Sequence, residues 1–428
     1  MTVESTVEQI VGITSFLSPS PQAVPLSLDR SLPENFQVSE ILPQGEVLSN
    51  DEPTSFLASP ELGLFVQGIL TKRSVDTPGA VTRLAKELNV PRHFIGYAGL
   101  KDSNAVTKQR ISVFNPTLDP PSEVDLGNIQ LTQLCQKRYE VRLGDLGGNF
   151  FEVILTPTLR DNDLSDDLVS ELQGRAGLVQ KQGFPNFFGL QRFGGQRPLT
   201  HIMGRLLLQK RWEDAVKVYL TTSSLAEPTH LQEARRELAL TWDLPQFLRS
   251  IPSRFRYERG MSQVLVKNQT NYWKALNTIP KRILRLFVGG FQSFIFNRTL
   301  SNVLLTSDDP NTIHGSLPLP GYHSNLGEEP LLVQESILTV LAESGVELAD
   351  FSNREMPWLR VQGGRRNVVV HAFNLDLAVA GESVRLSFGL PKGSYATMLV
   401  RELLGGPGTL KFDRLAEANF LLFNHELQ

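Results

Sequence analysis

The stretch GYAGLKDSNAVTKQ, residues 96–109, places a single carboxylate, Asp102, between two runs rich in β-branched and aromatic residues, 94–97 and 111–114. Such runs favour strands, so Asp102 sits on a loop held by rigid elements, a common location for a reacting side chain. Gly96 and Gly99 flank it and permit a close approach of chain or substrate that a Cβ would block. Further along, GDLGG separates YEVRL from NFFEVIL, which reads as a β-hairpin with a glycine-dependent turn. Alternation along its second strand puts Asn149, Phe151 and Val153 on one face and Phe150 and Glu152 on the other. Acid, amide and aromatic together suit a reaction on a nucleobase. The amide reads the edge of a flipped pyrimidine, an aromatic stacks on its face, and the carboxylate attacks the sugar or takes its proton.

Other chemistries lack their residues. The seven histidines are scattered with no pair at metal-ligand spacing, and a single cysteine, Cys135, forms neither an internal disulfide nor a thiolate cluster. No metal is therefore expected. A P-loop, a strand-to-helix GxGxxG with a following acid and a serine nucleophile elbow are all missing, which argues against a nucleotide cofactor. The GGQR at 194–197 and the GGRR at 363–366 are too short to cradle phosphate. What remains is acid, amide, aromatic and basic side chains without a cofactor. The lone cysteine agrees with a reducing compartment. With no unbroken apolar run of membrane-spanning length and no basic-then-apolar leader, a soluble cytoplasmic protein is expected, with no membrane partner.

The elements that must position these residues fall into three parts. A length of 428 residues suggests two or three domains. Residues 1–26 are polar, Pro- and Ser-containing and without sustained period, and read as a leader free to move or as an edge element. From Arg30 to Gln191 the pattern is mixed, with strand-like runs at 36–41, 93–97, 110–114 and 139–143. A helix is expected over 80–88 from Val81, Leu84, Ala85 and Leu88, with Thr77 and Pro78 as its start signal. The middle of the chain turns helical, with an amphipathic candidate over 291–305, and the end returns to strands before a short helix that starts at Ser394 and stops at Gly405. The net charge of −3 hides a basic stretch, Arg254 to Arg285, in which Glu258 is the sole acid and Phe255, Tyr257, Tyr272 and Trp273 are interleaved. That mixture suits phosphate contact with base stacking; an acidic stretch without Lys or Arg, 306–350, follows it.

Six blocks occur in order between Arg30 and Leu404: LPENFQVSEI, GYAGLKDSNAVTKQ, GGNFFEVIL, GFPNFFGLQRFG, GFQSFIFNRTLS and LPKGSYATMLVREL. With them the chain resembles the TruD family of pseudouridine synthases, which makes pseudouridine at position 13 of tRNA. The resemblance implies an α+β fold: a catalytic domain around a mixed, mainly antiparallel sheet flanked by helices, plus an inserted TruD-specific α+β domain. The expected boundaries are 1–26 for the leader, 27–192 and 368–428 for the catalytic domain, and 193–367 for the insertion. By the same resemblance Asp102 is the catalytic aspartate, Phe36 contacts substrate, and Asn149 and Phe151 line the uridine pocket. Tyr395 falls on an aromatic that is Phe in some members, and Arg30 on a basic residue that pairs with the catalytic carboxylate. Lys101, adjacent to Asp102, points away from it in extended backbone and is expected at RNA or solvent; Arg192 is either a structural ion pair or a phosphate contact. The implied reaction is a cofactor-free isomerisation on a tRNA partner by a monomer, with Asp102 acting as nucleophile or as a base that forms a glycal. A tRNA-binding or tRNA-folding protein and an RNA base glycosidase are the alternatives.

Overall fold

Ten strands form one sheet in a unit assembled from two stretches of chain, Val24–Gly183 and Val370–Leu404. This computed structural model describes residues 7–15, 17, 23–58, 61–115, 123–158, 164–195, 197–224, 227–306, 315–353 and 355–405. Eight of the strands come from the first stretch: β1 (Leu26–Leu28), β2 (Phe36–Ile41), β3 (Phe65–Arg73), β4 (Ile95–Tyr97), β5 (Val106–Phe114), β6 (Val124–Asp125), β7 (Ile129–Lys137) and β8 (Gly148–Pro157). The second stretch adds the hairpin strands Phe373–Ala380 and Ser383–Pro391, and Ser383–Pro391 pairs with β8. From that hairpin the order runs β8, β2, β5, β3, β7, β6, with β1 also on β8 and β4 also on β5.

Only β2 and β5 run parallel, with Gln37 beside Val106 and Ser39 beside Lys108; the other described pairings in this sheet are antiparallel. The parallel pair matters because it sets the starts of β2 and β5 side by side. The chain entering β2, with Arg30, and the loop entering β5, with Asp102, therefore meet at one edge of the sheet. The helix Thr77–Glu87 begins with the Asp76 side chain accepting from Gly79 N. It buries Ala80, Val81, Leu84 and Ala85 in a core with Leu70, Ile111, Ile129 and Leu131. At the other end of the unit, the helix Ala396–Leu404 stops at Gly405, which has a φ of 63°.

Residues 139–143, expected as the first strand of a hairpin, are not a strand. Both edges of β8 are already taken, by β2 and by Ser383–Pro391. Instead Val141 is buried, its backbone N–H donating to Ser112 Oγ at 2.8 Å. A Cβ at Gly96 would lie 2.4 Å from the Val141 carbonyl oxygen, so this glycine is needed for the approach of one chain segment to another. At Gly99 a Cβ would meet nothing within 4 Å, and no steric demand for glycine exists there.

The other unit comprises Phe184–Val369 together with the described residues before Val24. This compact unit is bounded at Phe184 and Val369. The 26-residue helix Lys281–Thr306 is its centre, and the helices Thr200–Leu208 and Leu331–Glu343 pack against it. Gly204 lets the first of these come close, since a Cβ there would sit 2.1 Å from Phe287 O. The fully buried Arg235 is neutralised by Glu227 and Glu258, each at 3.1 Å. Val11 and Ile13, in the stretch read from sequence as a leader free to move or an edge element, are buried: Asn297 donates to Val11 O at 2.9 Å and Ser301 Oγ accepts from Thr14 N at 3.0 Å. Residues 406–428, placed with the catalytic domain above, lie outside the described residues. Among the described residues no helix is long and apolar enough to cross a membrane.

Candidate active site

Register across the sheet sets one row of side chains on a common face: Lys72 opposite Thr107, Thr107 beside Val38, Val38 opposite Phe151, and Phe151 opposite Phe388. Neighbouring positions on that face are Glu40 opposite Asn149 and Phe36 opposite Val153. The Asp102 loop lies over this face and is tied to it along its length. Gln109 Nε2 donates to Gly99 O at 3.2 Å, and Thr77 Oγ1 accepts from Lys101 N at 3.0 Å. Lys72 Nζ donates to the Asp102 carbonyl at 2.6 Å, and Asn104 Nδ2 donates to Arg30 O at 3.3 Å. A loop bound at four places within six residues, Gly99 to Asn104, holds its carboxylate in one position.

The Asp102 side chain is 39 % exposed and lies 3.6 Å from Arg30 Nη2. Arg30 also covers the face of Phe36, its guanidinium carbon 3.6 Å from the ring centroid, and donates to Asn104 O at 3.4 Å. Phe36 in turn meets Phe151 edge-on at 6.1 Å, and Phe151 stacks on Phe388 at 5.3 Å. Five of the residues named from the sequence, Arg30, Phe36, Asp102, Asn149 and Phe151, are thus joined in one network, with Lys101 as the link. Phe36 and Phe151 are only 2 % and 8 % exposed, so they form a floor with the Arg30 guanidinium laid on it. Tyr395 is half-buried and follows the turn after Pro391, whose register partner Gly148 neighbours Asn149. Arg192 belongs to the other unit, where its Nε donates to Ser293 Oγ at 3.0 Å.

Lys101 does not point to solvent or RNA. Its side chain is 4 % exposed and forms an ion pair at 2.9 Å with Glu40, which is fully buried, while its ammonium also donates to Asn149 Oδ1 at 2.8 Å. Residues 101–105 are loop rather than strand, so the alternation that would turn Lys101 away from the sheet does not apply. The contact also settles the amide. An ammonium only donates, so Asn149 turns its oxygen towards Lys101 and keeps its NH2 as the group offered outward.

Glu40 and Lys72 are the residues that sequence reasoning missed. Each stands where alternation calls for an apolar side chain: Glu40 follows Phe36 and Val38, and Lys72 follows Val66, Gly68 and Leu70. A charge on the buried register of a strand is the signal that could have found them. Burial pushes the Lys72 ammonium down to about 8, against the pull of the Asp102 and Asp76 charges, which favour its protonation. Below that pH both folded and unfolded chains hold the proton and the native state carries the cost of a buried charge. Between about 8 and the unfolded value near 10.4 only the unfolded chain keeps it, so stability rises with pH there by up to about 1.4 kcal/mol per unit. Lys72→Met is expected to lack this rise. Denaturant midpoints of wild type and variant, measured across pH 7 to about 10, should converge or cross in that direction; parallel curves would refute the shift.

This fold is similar to that of a solved putative tRNA pseudouridine synthase D (TruD) from Methanosarcina mazei. The two superpose with a TM-score of 0.71 at 28% identity, covering 96% of this chain and 100% of that one. The fold class is therefore that of a pseudouridine synthase. The family model for tRNA pseudouridine synthase D (TruD) matches residues 27–315 and 308–403, and this chain belongs to that family. Among curated relatives, a "Probable tRNA pseudouridine synthase D" of Methanopyrus kandleri is 35% identical over 354 residues, 79% of this chain and 85% of the relative. Another from Pyrobaculum aerophilum is 31% identical over 391 residues, 87% and 90% of the two chains.

Proposed function

We propose that this chain isomerises uridine to pseudouridine in tRNA, at position 13, with Asp102 breaking the glycosidic bond. The observation that carries this reading is the half-exposed Asp102 carboxylate beside Arg30, above an aromatic floor and joined through Lys101 to an oriented Asn149. The unit formed from both ends of the sheet-bearing chain is the catalytic domain, and Phe184–Val369 is the insertion. A target uridine is flipped into the site, above the floor that Phe36 and Phe151 form under Arg30, with Tyr395 beside it. The Asn149 NH2 donates to the uracil O4, where cytosine carries an amino donor instead. Asp102 acts on the sugar, as nucleophile at the anomeric carbon or as base toward a glycal, and the C–N bond breaks with its electrons leaving on uracil. The detached base turns, its C5 bonds to the anomeric carbon, and the proton lost from C5 is balanced by one gained at N1. Arg30, 3.6 Å from the carboxylate, holds it in place.

The test is a tRNA transcript incubated with the protein and mapped for pseudouridine, beside a transcript carrying cytidine at position 13. Conversion at uridine 13 with no change in RNA mass is expected, and none in the substituted transcript. Release of free uracil with an abasic site would instead assign a glycosidase, and conversion confined to other positions would remove the positional assignment.

A further inference from the structure

The insertion unit contains a cleft of about 700 Å³ whose walls include Arg192, Arg282, Arg285 and Arg360, together with Tyr322 and Gln292. Among the described residues no carboxylate lines it and none of the four guanidiniums is ion-paired. Elsewhere in the same unit Arg197 and Arg235 share Glu227 and Glu258, and Arg298 takes Glu343. Three of its arginines are nevertheless held in place. Arg285 donates through Nε and Nη2 to Trp358 O at 3.0 and 2.8 Å, Arg360 lies over the Tyr322 ring at 4.6 Å, and Arg192 is fixed by Ser293. A Cβ at Gly289 would lie 2.6 Å from Arg192 Nη2, so glycine leaves room for that guanidinium. Beside the cleft, Lys281 sits over Trp358 at 4.5 Å.

Four like charges converging without a counter-ion repel one another unless an anion joins them, and guanidinium forks match phosphate oxygens in pairs. One phosphate would neutralise at most half of this charge. A cleft of this volume accommodates more, and aromatic rings at its edge offer faces to a base or a ribose. We propose that this cleft binds consecutive phosphodiesters of an RNA strand, namely a backbone segment of the substrate tRNA, as a docking site separate in kind from the uridine pocket. The identity of the RNA rests on the isomerase reading above; the phosphate chemistry does not. Arg192, undecided from sequence between ion pair and phosphate contact, belongs with the second.

Binding of a tRNA transcript at a series of salt concentrations tests this directly, comparing wild type with Arg282→Gln/Arg285→Gln and with Arg360→Gln. The dissociation constant of the double variant is expected to rise roughly tenfold or more near physiological salt. Its slope of log affinity on log salt should fall by about 1.4 to 1.8, since each lost phosphate contact removes about 0.7 to 0.9. Arg360→Gln should lower the slope by about half as much, and serves if the double variant fails to fold by circular dichroism. Arg282→Lys/Arg285→Lys should keep most of the slope. Unchanged slopes in folded variants would overturn the cleft while leaving the isomerase reading intact if wild type makes pseudouridine. A cleft-dependent slope in a wild-type protein that makes no pseudouridine would overturn the isomerase reading alone.

Discussion

Asp102→Asn is expected to bind tRNA with near wild-type affinity and to make no measurable pseudouridine, a loss of roughly 10⁴-fold or more. The substitution keeps size and shape but removes the charge that either route requires. Because the loop is fastened through the backbone of Gly99, Lys101 and Asp102 and through the Asn104 side chain, replacement of one carboxylate oxygen leaves its position intact. The contact with Arg30 at 3.6 Å weakens, but Arg30 keeps its place over Phe36 and its bond to Asn104. Single-turnover conversion measured beside filter binding separates the two effects. Product at more than about a hundredth of the wild-type rate would remove Asp102 from the bond-breaking step.

The second large effect is expected at Lys101, and it falls on two observables that come apart. Lys101→Met strands Glu40, which is fully buried, and loss of one partner from a buried pair costs about 3–5 kcal/mol. It also frees Asn149 to turn its amide, so the face offered to a base is no longer fixed as a donor. Adding Glu40→Gln removes the stranded charge, and the double variant should recover much of the stability. It should not recover turnover, nor the preference for uridine over cytidine at the target position, measured as relative affinity in the Asp102→Asn background. If stability and discrimination return together, Lys101 acts only as packing and the positioning role is wrong.

The features legible beforehand were those encoded over short stretches of chain. The loop around Asp102 was visible because strands rich in β-branched residues bracket it, and β5 and β4 are those strands. The face shared by Asn149 and Phe151 followed from alternation within β8, and the helix at Thr77–Glu87 from its apolar spacing and its start signal. Strands β3 and β7 went unnoticed because FVQGILTKR and IQLTQLCQK are central strands with polar groups on both faces, which blur the period of two. The parallel pairing of β2 with β5, which brings Arg30 to Asp102, joins segments separated by several other elements and leaves no local trace. The family blocks placed Arg30 at the carboxylate, but they said nothing of Glu40, Lys72 or the inward turn of Lys101. Those depend on which side of the sheet the loop covers.

The pairing of β8 with Ser383–Pro391 also has a temporal side. At about 5–20 residues per second, a ribosome makes the partner strand roughly 11 to 45 seconds after β8, because about 225 residues lie between Pro157 and Ser383. Throughout that interval the nascent strand bearing Asn149 and Phe151 has one bare edge, a template for the wrong neighbour. A chain cut short before Ser383 would keep that edge permanently, so premature termination would yield an aggregation-prone fragment rather than a smaller working enzyme.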